Sequence, residues 1–105
     1  MDRVLDLAAT VGQTVESYVT SSFNASLLYS EHLPTGVFSV ITVPDDWEEH
    51  PHVMLLAQVR GDHIFILEDT TDRPLYKALL DEHIPREQIT LVYQGETVNT
   101  PESTL

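Results

Sequence analysis

No cysteine occurs among the 105 residues. Disulfides, thiolate nucleophiles and cysteine-based zinc sites are thereby excluded, and a reducing cytoplasm is the expected setting. Basic residues are scarce too. Five Lys and Arg stand against seventeen Asp and Glu, a net charge of −12. Nucleic acid is not an expected direct ligand, because its affinity rests on phosphates neutralised by Lys and Arg. An anionic membrane surface is disfavoured for the same reason. Long apolar runs are missing as well. No stretch approaches the roughly 20 residues that span a bilayer. The opening "MDRVLDLAATVGQTVESYV" is interrupted by Asp2, Asp6 and Glu16, so no leader peptide is expected. The four glycines, at 12, 36, 61 and 95, never cluster into a phosphate-cradling loop. No serine sits in a G-x-S-x-G elbow.

What remains fits one domain over residues 1–96, with a polar tail from 97 to 105 that is expected to fray. A chain of this length buries roughly two thirds of its unfolded surface, enough for one core. Val4, Ala8, Val11, Val15, Tyr18 and Val19 trace one stripe at helical spacing, which predicts a helix from about Asp2 to Ser21. "ASLLYSEHL" and "GVFSVITV" predict an antiparallel pair around "LPTG", with Pro34 early in the turn and Gly36 closing it. Phe38, Val40 and Thr42 should share one face. "VMLLAQVRG" predicts a third strand, with Val53, Leu55, Ala57 and Val59 together on one face. The fourth strand is "HIFILE", reached through the Gly61-Asp62 turn. Its continuous apolar middle predicts cover on both faces.

A second helix should begin near Asp72, with that carboxylate as N-cap and Pro74 in the first turn. Pro85 should end it by forcing Ile84 out of helical geometry. Ile89, Leu91 and Tyr93 alternate with Thr90, Val92 and Gln94 and predict a fifth strand. The expected fold is therefore α+β: a helix, an antiparallel meander of four strands, a second helix and a final strand. The helices should lie on one face of the sheet.

Two stretches concentrate chemistry-bearing residues. "EEHPH", Glu48 to His52, offers two carboxylates and two imidazoles, ligand types for zinc, nickel or copper. His32, His63 and His83 lie in other elements, so a solvated loop is the simpler reading. "LEDTTD" groups Glu68, Asp69 and Asp72 beside two hydroxyls. Such carboxylates serve acid–base work, hold a hard cation or meet a partner, but helix capping accounts for the same spacing. No catalytic residue, metal or cofactor is expected. Trp47, in the loop with Asp45, Asp46, Glu48 and Glu49, has two readings. It anchors a partner, or it folds back over one end of the sheet, the commoner fate of a large aromatic.

From Gly61 to Val92 the chain resembles the XisI family, named for the factor that controls fdxN element excision in cyanobacteria. The strand "HIFILE" stands where the family has one resembling "IWIQ". Asp69, Thr71 and Asp72 match the Asp-Gly-Thr-Glu turn, with Thr70 at its Gly. Ile84, Pro85 and Arg86 match Ile-Pro-Lys after a helix, with His83 at the preceding Gly, and "ITLVY" follows. Where the family's pattern continues into a further aromatic and polar segment, this sequence reads "NTPESTL".

The resemblance implies an α+β domain without catalysis of its own. It implies binding to, and control of, a XisH-like nuclease-type partner. The acidic balance suits such a partner's basic DNA-facing surface. Asp45, Asp46, Trp47, Glu48 and Glu49 are the expected contacts. Two other readings stand beside this one: a homodimer formed through exposed strand edges, and an enzyme or metal protein built on Glu48–His52 or "LEDTTD".

Overall fold

The structure is a computed structural model and describes residues 3–20 and 24–97. Its elements are α1 (Arg3–Glu16), β1 (Ala25–His32), β2 (Val37–Pro44), β3 (His52–Arg60), β4 (His63–Asp69), α2 (Leu75–Asp81) and β5 (Ile89–Leu91). Short 3-10 turns cover Leu33–Thr35, Arg86–Gln88 and Val92–Gln94. One sheet runs in the order β1-β2-β3-β4-β5. The first four strands form an antiparallel meander, whereas β5 pairs parallel to β4. A parallel neighbour cannot be reached by a hairpin, and α2 lies in the crossover that reaches it. The expected α+β architecture is the one observed.

Helix α1 stops at Glu16, short of the expected Ser21. The Ser17 hydroxyl donates to the Thr14 carbonyl at 2.6 Å, competing with the helical ladder. The Tyr18 N–H then turns back to the Val15 carbonyl. Val11, Val15 and Tyr18 keep their places in the core, but Val19, beyond the last turn, is exposed. Gly12 lets α1 approach β2 closely: a Cβ there would stand 3.1 Å from the Phe38 ring.

Both helices pack on the face of Phe38, Val40, Leu55, Ala57, Ile64 and Ile66, and all six are at most 1% exposed. Leu75 and Leu79 of α2 and Ile89 and Leu91 of β5 complete this core. The Leu33–Thr35 turn ends on Gly36 at φ 69. A Cβ at Gly36 would lie 2.3 Å from the Val59 carbonyl oxygen, so glycine is required on both counts.

The β3–β4 register slips between Leu56 and Ala57, so Leu56 pairs with Glu68 and Ala57 with Ile66, and two further details depart from the alternating pattern. The β2–β3 register slips between Val40 and Ile41, so Val40 faces Leu55 while Ile41 faces Val53. One extra residue inverts every side chain beyond it. Val53 therefore leaves the face of Leu55 and is 38% exposed. The second departure is in β4. Ile64 and Ile66 are fully buried, but Phe65 and Leu67 are half-buried, because both helices lie on the opposite face. Phe65 is shielded locally instead, by the Arg60 guanidinium 5.6 Å from its ring centroid and by the His63 ring at 4.9 Å. The predicted fifth strand is also shortened. It ends at Leu91, where the Glu96 N–H returns to the Leu91 carbonyl.

Candidate functional site

Strand register gathers the acidic loops at one end of the sheet. Ala25 faces Pro44, Thr42 faces His52, and Leu55 faces Asp69. The β2–β3 loop and the turn after β4 are therefore neighbours. In the former, the Asp45 N–H donates to the Asn24 carbonyl at 2.9 Å. Asp46 then builds a tight turn. Its Oδ1 accepts the Glu48 N–H at 2.9 Å, and its carbonyl accepts the Glu49 N–H at 3.0 Å. An aspartate at the first turn position favours this arrangement.

Trp47 occupies the next position and is carried outward to 89% exposure. The expectation that it covers the sheet end is not met: the turn aims it away from the apolar layer. Asp45, Asp46, Glu48 and Glu49 surround it and are all exposed. None of them is in an ion pair among the described residues.

The second acidic stretch works as local scaffolding. Asp69 Oδ2 accepts the Leu75 N–H at 2.7 Å. Its Oδ1 accepts the Thr71 N–H at 2.9 Å and lies 2.6 Å from the Thr71 hydroxyl. That hydroxyl is also within 2.7 Å of the Arg73 carbonyl. The first turn of α2 is thus capped by Asp69, six residues ahead of Leu75, and not by Asp72 as expected. Asp72 is exposed, and Pro74 at the N-cap position supplies no side-chain hydrogen bond. Thr70 has no positive φ; its N–H and hydroxyl both donate to the Met54 carbonyl. Arg73 stacks over Tyr18 at 4.6 Å, and the Tyr18 hydroxyl donates to the Arg73 carbonyl at 2.7 Å. Burial raises the Tyr18 pKa, and Arg73 partly opposes the rise. Tyr93 is raised by burial and by the negative charge of Asp69.

The corner at the far end of α2 explains its own sequence. His83 has φ 69, the one positive value at a non-glycine residue among those described. The His83 N–H donates to the Leu80 carbonyl and the Ile84 N–H to the Leu79 carbonyl. This left-handed helix stop is one that glycine normally supplies. Ile84 then enters the core at 8% exposure, and Pro85 opens the turn that leads into β5.

Arg86 ties that turn to the segment that follows β5. Its Nη1 donates to the Ile89 carbonyl, and its Nη2 to Glu96 Oε2 at 2.7 Å. Glu96 Oε1 accepts the Leu91 N–H. That backbone bond, followed by Arg86, lowers the Glu96 pKa despite the opposing effect of desolvation. Glu96 went unremarked in the sequence, where it reads as part of a polar tail. Of the tail expected to fray, residues from 98 onward lie outside the described residues.

His50 and His52 of "EEHPH" are exposed on the acidic end. Among the described residues no three His, Asp or Glu side chains converge as a metal would require. His63 Nε2 pairs with the Thr90 hydroxyl at 2.6 Å. No helix among the described residues is long and apolar enough to cross a membrane.

No family model matches this chain, and no curated protein matches it. Solved structures do. A XisI-like protein from Anabaena variabilis ATCC 29413 superposes with a TM-score of 0.73 at 14% identity, over 95% of this chain and 91% of that one. The fdxN element excision controlling factor XisI from the same organism superposes with a TM-score of 0.73 at 18% identity, over 88% and 87%. The fold is that of the XisI-like proteins.

Proposed function

We propose that this protein is a non-enzymatic regulator that binds and controls a XisH-like, nuclease-type protein, in DNA element excision or in restraint of the nuclease. The observation that carries the reading is Trp47, 89% exposed on a hydrogen-bonded turn between exposed carboxylates. A large aromatic held in water at no benefit to the core is the anchor type that dominates interfaces. The carboxylates around it match the basic surface that a DNA-cutting enzyme must carry, and they speed the encounter. Solved relatives in fold are described as XisI-like and as an excision controlling factor, which supports a controlling role.

The test is binding of the full chain to a co-expressed XisH-like protein. Micromolar or tighter affinity is expected at low salt, weakening as salt rises. Trp47→Ala should lower affinity by about tenfold or more, the loss usual for a central aromatic. Separate elution of the two proteins at low salt, with Kd above the micromolar range, sinks the reading. Turnover by the isolated chain that one carboxylate or imidazole substitution abolishes would refute its non-enzymatic part.

A further inference from the structure

The two edges of the sheet differ in what meets their backbone. At β5 the outward groups of Ile89 and Leu91 are all taken. The Ile89 N–H donates to the Arg86 carbonyl, and the Ile89 carbonyl accepts Arg86 Nη1. The Leu91 N–H donates to Glu96 Oε1, and the Leu91 carbonyl accepts the Glu96 N–H. No strand can add there without dislodging both side chains. At β1 the reverse holds. The bond from the Asp45 N–H to the Asn24 carbonyl opens the β1–β2 ladder, and bonded pairs recur at every second residue. Ser26, Leu28, Ser30 and His32 therefore turn their backbone groups to β2. Ala25, Leu27, Tyr29 and Glu31 turn theirs outward, where no partner meets them among the described residues. The strand is eight residues long, with an unbroken register to β2 and neither Pro nor Lys. It thus lacks the bulge, proline or lysine that usually guards an edge.

We infer that β1 pairs antiparallel with β1 of a second copy, about a two-fold axis beside Leu28, and joins the two sheets into one. The register identifies the occupant. Only residues whose groups face outward can exchange bonds across the edge. Centred on Leu28, Ala25 meets the partner's Glu31 and Leu27 meets the partner's Tyr29, so all four outward residues are satisfied in both chains. Any other register leaves an outward residue of each chain without a β1 partner. The side chains agree. Leu28, 52% exposed, meets its own copy at the axis as a close, non-hydrogen-bonded pair. Ser26 falls opposite the partner's Ser30. The two Glu31 carboxylates stand about 20 Å apart along the strands, and the two acidic loops next to Asn24 go to opposite ends. A two-fold contact closes on itself, and the occupied β5 edges stop the joined sheet from growing. Neither Trp47 nor the carboxylates around it take part, so each idea can fail without the other.

Light scattering of the full chain should approach twice the 11.8 kDa chain mass at several hundred micromolar. The mass should fall on dilution, because paired edges alone bury less than a standard interface. The chain has no cysteine, so single substitutions report the register. Leu28→Cys should cross-link under mild oxidant, since a Cα separation of about 4.5 Å is within disulfide reach. Ser26→Cys alone should not, because its copy lies about 13 Å along the strand, but a mixture of Ser26→Cys and Ser30→Cys should. Glu31→Pro, at an exposed position, removes one outward donor from each chain. It should raise the concentration at which dimers form by about tenfold or more. If Glu31→Pro does not fold, the cross-linking decides. A monomeric wild type at several hundred micromolar overturns the inference. So does Leu28→Cys that cross-links no faster than Ser26→Cys alone, which would assign any association to another surface.

Discussion

The meander and the crossover that follows it are held together by different physics. Strands β1 to β4 are joined by hairpin ladders and share the layer of Phe38, Val40, Leu55, Ile64 and Ile66. The crossover also buries Leu75, Leu79, Ile84, Ile89 and Leu91, but its course is set by polar fastenings. Asp69 holds the start of α2, the left-handed His83 ends it, and Arg86 with Glu96 clamps the turn into β5. Packing tolerates exchange of one apolar residue for another of like volume. A fastening depends on one atom in one place, and it gives less energy but fixes direction.

Substitutions can separate the two regimes. The largest effect should come from Phe38→Ala in the meander, a loss of about 3–5 kcal/mol. Urea unfolding measures it, and a loss below about 1 kcal/mol would mean that the layer is not the main support. Next comes Asp69→Ala in the crossover. Removing a helix cap and its paired turn bonds should cost about 1–2 kcal/mol. Amide exchange should rise across α2 and β5 before it rises in β2 and β3, and uniform exchange across the sheet would erase the distinction. The smallest change has the opposite sign. His83→Gly should stabilise the chain by about 0.5–1 kcal/mol, since a left-handed backbone strains every residue with a Cβ. Destabilisation would mean that the imidazole carries a contact worth more than the strain.

Legibility in the sequence follows the same division. The meander was readable because period-two alternation records which side chains share a face, and Pro34 and Gly36 mark a turn with few alternatives. Val53 was misplaced because it lies beyond a bulge, and a single inserted residue leaves no mark in composition. The double cover expected for "HIFILE" failed because an apolar run records hydrophobicity and says nothing of which side the helices choose.

In the crossover the residue types were right and the partners wrong. Asp72 stood at the obvious cap position, but the chain loops so that Asp69 reaches the Leu75 N–H across six residues. Glu96 was hidden because its partners, Arg86 and the Leu91 N–H, are fixed only by tertiary structure. At the candidate site the acidic loop was legible as a stretch of carboxylates around one tryptophan. That Trp47 points outward depends on the Asp46 turn, a matter of backbone geometry.

The parallel pairing of β5 also fixes an order of events. Each hairpin of the meander closes over a short loop, so those strands can assemble as soon as they meet. Strand β5 reaches β4 only across about twenty intervening residues, after α2 has docked. Three residues long, it is expected to lock last and open first, which makes β5 and the crossover before it the natural point of entry for a protease or a chaperone.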